Sequence, residues 1–262
     1  MCGIAGYSLS ARSVVDRTLA AQALLAAIAE RGADAVGYAY RAPEGAVRVR
    51  KQRTGASAVL DRIEIPGDAA EVLLHVRDFT KGHPGIDGNN HPIRHGSVVG
   101  VHNGIIVNDE QIMARHGFAR AEPGMTVDSE AIFALVDRFG SSPVALGELR
   151  GAMAAAWLDE RHPESIFVAR GFGRPLWIGS TRNETFFAST KQALEIVERY
   201  LDLRLCKREV GDGIVHEIAC GYVSRPGRFF PDRSFHEERE LPAVRAPHEG
   251  KLCLTLLAAL AA

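Results

Sequence analysis

No stretch of this 262-residue sequence approaches the roughly 20 consecutive apolar residues a helix needs to cross a bilayer. No basic segment followed by a long apolar one marks a secretory signal, so the expected compartment is cytoplasmic. Net charge is also missing. The 31 lysines and arginines stand against 32 aspartates and glutamates, and a balance of −1 sets up no long-range field for nucleic acid or an anionic membrane. Cysteine is scarce, with four residues and no CxxC pair, which speaks against thiolate zinc and a disulfide framework. No GxxxxGK loop is present to cradle phosphate. Five of the ten histidines fall between His75 and His102, but Pro92 separates His91 from His95 and keeps them off one helical face. Neither a metal nor a cofactor is expected.

What is present is ordinary for a globular protein: 46% hydrophobic and 24% charged residues. CGIAGYSL reads as a short strand. Ser13 to Glu30 reads as a helix with Val14, Ala21, Leu25 and Ile28 on one face, closed by Gly32 as a left-handed cap. Strand-like runs follow at VGYAY, AVRVRK, EVLLHVR and SVVGVH, with the loop KGHPGIDGNNHP between the last two. Helical patterns occupy Asp109–His116, Asp128–Phe139, Val144–Leu149 and Lys191–Arg199. Strands are expected at AMAAAWL, SIFVAR, PLWIGS, TFFAS, LRLC and GIVHEI. Strand clusters separated by helix clusters predict sheets packed face to face under helices, an α+β architecture. Cys206, Cys220 and Cys253 sit in apolar contexts and read as small buried hydrophobes.

A few residues could carry chemistry. Cys2 follows the initiator methionine, and its small side chain predicts removal of Met1. That would leave a strong nucleophile beside a free α-amino group of pKa about 7.7–8, a base poised near neutrality. Asn103 and Gly104 could offer two donors to a developing oxyanion, although Asn-Gly between apolar runs is also a type I′ hairpin signal. Arg77 closes a strand and could clamp a carboxylate bidentately, or pair with Asp78. Asp128 could cap a helix or bind a substrate ammonium. The run from Arg48 to Arg53 reads as a strand with a solvated basic face.

Read in order, these segments resemble the class II glutamine amidotransferases, the N-terminal-nucleophile glutaminase domains that open Met-Cys-Gly-Ile. MCGIAGY, RGADAVG, HVRDFTKG, NNHP, VHNGII, VDSEAI, RPLWIGS and FFAST-KQAL match the family's motifs over roughly residues 2–223. The resemblance implies a four-layer αββα sandwich of the N-terminal-nucleophile hydrolase type. It implies Cys2 as the nucleophile that forms a γ-glutamyl thioester on L-glutamine and releases ammonia. Asn103 and Gly104 would form the oxyanion hole. Arg77 would hold the α-carboxylate, Asp128 the α-amino group, and Thr80 would join them from the loop.

Two departures fall in that loop: Asp78 stands where sugar-phosphate synthases of the family often carry an aromatic, and Lys81 where they carry histidine. The lid over the pocket is therefore expected to be altered. Residues 1–225 are expected to form the glutaminase domain. Residues 226–262 are expected to form a polar arm ending in a short apolar helix with Leu252, Leu256 and Leu260 in line. That helix either folds back on its own domain or meets a partner or a second copy of the chain. With no acceptor half of several hundred residues, ammonia is expected to pass to a separate synthetase. A hydrolase acting on another γ-glutamyl or small amide, and a non-catalytic regulatory module, are the competing readings.

Overall fold

Short apolar strands, the central ones Gly3–Leu9, Glu71–Arg77, Gly151–Asp159 and Glu184–Ala188 buried along their whole length, pair into two antiparallel sheets. The computed structural model describes residues 1–236 and 242–261. Fourteen strands lie among the described residues: β1 Gly3–Leu9, β2 Ala35–Arg41, β3 Val47–Gln52, β4 Glu71–Arg77, β5 Ile93–His95, β6 Val98–Ile106, β7 Gly151–Asp159, β8 Ser165–Arg170, β9 Trp177–Ser180, β10 Glu184–Ala188, β11 Cys206–Glu209, β12 Ile214–Ala219, β13 Tyr222–Val223 and β14 Gly227–Arg228. The helices are α1 Arg17–Ile28, α2 Asp109–His116, α3 Glu130–Phe139, α4 Pro143–Leu146, α5 Lys191–Leu201 and α6 Pro247–Leu260. One sheet runs β11-β9-β10-β1-β4-β2-β3, and the other runs β13-β12-β8-β7-β6-β5 with β14 beside β12.

Three apolar layers hold the stack. Ile4, Leu73, Val99, Val101, Ala156 and Phe187 interdigitate between the sheets. Leu24, Leu25 and Ile28 of α1, with Leu194 and Val197 of α5, cover the outer face of the first sheet. Phe133 and Leu135 of α3, with Trp157 of β7, cover the second. Each large side chain buried this way contributes about 1.5–3 kcal/mol of transfer free energy. The result is an αββα sandwich, as the family resemblance implies.

Several expectations are corrected. The first helix begins at Arg17, because Asp16 Oδ1 accepts from Leu19 N at 2.8 Å and caps it, which leaves Val14 97% exposed. Gly32 is extended, not left-handed; a Cβ there would lie 2.4 Å from Arg77 O, so close backbone approach explains the glycine. Of the three cysteines expected to be buried, Cys253 is buried. Cys206 is exposed on edge strand β11, and Cys220 lies partly exposed in the β12–β13 turn at φ 49°.

The arm assigned by composition to 226–262 begins as β14 in the second sheet and ends as α6 against α1, with residues 237–241 and 262 outside the described residues. Gly250, Cys253 and Leu257 face inward on α6, while Leu252 and Leu260 stand on its outer side.

Candidate functional site

Strand alternation decides which side chains face the gap between the sheets. Ile4 of β1 lies in the inter-sheet layer, and Cys2, two residues earlier, falls on the same side. Leu73 of β4 puts His75 and Arg77 on that side, and Val99 and Val101 of β6 do the same for Asn103. At this end of the sandwich a narrow cleft is lined by Cys2, Arg77, Thr80, Gly104 and Asp128, with Lys81 at its rim. Asn103 is fully buried next to the Gly104 wall. Five of the six residues expected at the site therefore share one cleft, and the sixth adjoins it.

Cys2 is held by main chain. Its Sγ lies 3.4 Å from Asp78 O and 3.5 Å from Asp78 N, and its carbonyl accepts from Arg31 Nε at 2.9 Å. Burial pushes the thiol pKa up, with the Asp78 backbone contact pulling the other way. A thiol raised in this way needs a base to become a nucleophile. The ammonium of Met1 pairs with the Asp78 carboxylate.

Arg77 makes no ion pair with Asp78. Its guanidinium donates to Asn90 Oδ1 at 2.5 Å and Lys81 O at 3.0 Å, and also to Gly82 O, so it props the loop that follows its own strand. The neighbouring Asn89 Oδ1 accepts from Thr126 N at 2.8 Å and Val127 N at 3.0 Å, which fixes the chain entering Asp128. Asp128 does not cap α3 with its side chain. Its Oδ2 instead accepts from Ile106 N of β6 at 2.6 Å. Burial lifts its pKa to about 6, against the Ile106 hydrogen bond.

Asn103-Gly104 is not a hairpin turn. Both residues lie inside β6, opposite Ala154 and Met153 of β7. Gly104 adopts φ 154°, where a Cβ would meet Ala152 O at 1.9 Å, so only glycine fits. The Asn103 Nδ2 is buried without a hydrogen-bond partner among the described residues. A buried donor left unmade costs free energy, and this one lies beside the cleft.

Residues that sequence reasoning left without a role complete the site. Arg31 fastens Cys2, while Asn89 and Asn90 fasten the two flanks of the cleft. Their motifs, RGADAVG and NNHP, were visible, but hydrogen bonding to a distant backbone leaves no periodic signal. His75 and His91 stack with centroids 4.2 Å apart, and His102 Nδ1 meets Ser129 Oγ at 2.8 Å. Burial drives the pKa of His75 and of His102 down to about 3 and holds His91 well below its usual value, so all three are neutral.

Residues 82–196 match the model of a family described as a glutamine amidotransferase domain. The glutamine–fructose-6-phosphate aminotransferase (isomerizing) of Escherichia coli K12 is 33% identical over 212 residues, covering 76% of this chain and 33% of that protein. Its counterpart from Bradyrhizobium diazoefficiens is 33% identical over 207 residues, 74% of this chain and 32% of that protein. The chain thus spans about a third of the length of these relatives. A glutamine phosphoribosylpyrophosphate amidotransferase from B. subtilis superposes with TM-score 0.68 at 20% identity, over 87% of this chain and 49% of that one. A glutamine aminotransferase class-II domain protein from Silicibacter pomeroyi does so at 0.54 and 16%, over 88% of this chain and 100% of that one. At these identities the likeness establishes the fold.

Proposed function

From the premise that this chain is a homologue of the class II glutamine amidotransferases, sharing their N-terminal-nucleophile fold, we propose that it hydrolyses L-glutamine to glutamate and ammonia. The observation that carries the reading is the convergence of Cys2, Arg77, Thr80 and Asp128 on one cleft beside an unpartnered Asn103 amide. Once Met1 is removed, the α-amino group of Cys2 takes the thiol proton as Sγ attacks the γ-carboxamide carbon. Asn103 Nδ2 and Gly104 N–H stabilise the oxyanion. The C–N bond breaks, the proton passes to the leaving nitrogen, and ammonia departs from a γ-glutamyl thioester. Water then adds to the thioester, giving glutamate and the free thiol. Arg77 and Asp128 bind the α-carboxylate and α-ammonium, with Thr80 beside them. Ammonia passes to a separate synthetase. The relatives' names couple glutamine to fructose-6-phosphate or phosphoribosylpyrophosphate, and the acceptor here is proposed only as an electrophile served by free ammonia.

The test is glutamine hydrolysis followed by ammonia release, together with intact mass of the protein. An active chain that begins at Cys2 supports the reading. A folded chain beginning at Cys2 that leaves glutamine untouched but cleaves another γ-glutamyl amide would replace it with the hydrolase alternative.

A further inference from the structure

Four contacts close a circuit around the nucleophile and draw in the segment before α6. Arg31 Nε donates to Cys2 O at 2.9 Å. One residue earlier in the same turn, Glu30 O accepts from Arg245 N at 2.9 Å and from Ala246 N at 2.8 Å. The Arg245 guanidinium reaches back to the Asp78 carboxylate, with Nε 3.2 Å from Oδ2 and 3.3 Å from Oδ1. The main chain of Asp78 then brackets Cys2 Sγ at 3.4 and 3.5 Å. The helix beyond pins this segment. Gly250 packs so closely on Glu30 that a Cβ would lie 2.7 Å from Glu30 Cβ, and the Glu249 carboxylate accepts from both the amide and the hydroxyl of Ser57 at 3.0 Å.

We propose that Arg245 is a positioning residue for glutamine hydrolysis, acting through Asp78 to hold the main chain that seats the Cys2 thiol. The proposal rests on the glutamine reading above. Asp78 has two cationic partners among the described residues, the Met1 ammonium and Arg245. Removal of Met1 takes away the first, so in the mature chain Arg245 is the cationic side chain, among the described residues, that anchors the carboxylate. A half-exposed ion pair adds little to stability, so its contribution is to where the loop stands. Small displacements at a reacting centre cost much more in rate than in folding.

The full chain is tested as Arg245→Ala and Arg245→Lys with three readouts: glutamine kinetics, the rate of Cys2 alkylation by iodoacetamide, and Tm. Arg245→Ala is expected to lower kcat about 10- to 100-fold, with KM changed no more than about twofold. Tm is expected to move by no more than about 4 °C, and alkylation to quicken as the thiol leaves its buried bracket. Arg245→Lys should restore most of both rates, because it keeps a cation beside Asp78. Wild-type kcat and alkylation in Arg245→Ala would overturn the proposal. So would a fall in kcat that tracks a fall in Tm and is not recovered by lysine, since that marks a structural brace. If the wild-type chain hydrolyses no glutamine, the functional reading fails separately, and the alkylation rates still decide whether Arg245 positions the thiol.

Discussion

Lys81 Nζ lies 2.5 Å from Asp109 Oδ2 and 3.8 Å from Glu110 Oε1, so the loop over the cleft is latched to the first turn of α2. The charge that departs from the family pattern is therefore engaged in a partly exposed ion pair with α2. Lys81→Met is expected to raise KM for glutamine about 2- to 5-fold while kcat stays within about twofold, the range of a partly exposed ion pair. Steady-state kinetics at two salt concentrations check this: the wild-type KM should rise with salt and the variant's should not.

Asp128 should make the protein more stable in acid than in base, relative to a variant lacking the charge. Its folded pKa of about 6 lies above the unfolded value near 3.9. The folded state therefore holds the proton more tightly, and stability is lost as pH rises from about 4 through 6. Above that window the buried carboxylate costs about 2–3 kcal/mol. Asp128→Asn keeps an acceptor for Ile106 N and should raise Tm at pH 7 but not at pH 4, while raising KM for glutamine sharply. Glu71, whose pKa burial lifts to about 7, adds a similar trend, so the wild-type minus variant difference is the quantity to plot. A flat difference would refute the assignment.

Asn103→Ala should separate catalysis from folding. Loss of one oxyanion donor lowers kcat about 10²–10³-fold. Its amide nitrogen has no partner among the described residues to leave behind, so chemical denaturation should show stability equal to or above that of wild type. Equal losses in both measurements would make Asn103 a structural residue.

A glutamine-analogue electrophile should add once, at Cys2, and glutamine should protect that site. Cys2→Ala should remove both the adduct and the hydrolysis. Exposed Cys206 is the internal control: simple reagents should alkylate it, without protection by glutamine. One extra residue ahead of Cys2 should leave a folded, inactive protein, because an amide nitrogen cannot act as the base.

The inward side of α6 predicts a gradient along one helix. Leu257→Ala is expected to cost about 2–4 kcal/mol, the usual range for a buried leucine. Leu260→Ala, at 44% exposure, should stay within about 0.5 kcal/mol. Urea denaturation distinguishes the two, and equal small effects would mean the helix is not part of the core.

Much of this was legible because buried strands read as short apolar runs bounded by turn residues and helices by their longer period. EVLLHVR became Glu71–Arg77, and the helix over Asp109–His116 falls where its pattern put it. The cleft was legible through ordered motifs rather than through spacing. What was not legible depends on contacts between distant chain segments. Asn103-Gly104 looks like a turn because positive φ is the usual use of such a glycine, but here the same freedom admits Ala152 O against a strand. The leucines aligned on α6 gave no hint that a glycine and a cysteine would form its inner side, since Gly250 is chosen for closeness to Glu30 and not for hydrophobicity.

The strand that begins directly after the nucleophile stands fourth of seven in its sheet, with β10 on one side and β4 on the other. Ala5 pairs with Ala188, and Gly3 pairs with Val76. During synthesis at roughly 5–20 residues per second, β1 must therefore wait about ten seconds or longer before β10 emerges to complete its pairing. Until then the edge of β1 that faces away from β4 can find other strands, a hazard that grows with the sequence distance between true partners. Placing the reactive residue at the middle of the sheet thus couples the completion of the active site to one of the later steps in the domain's folding.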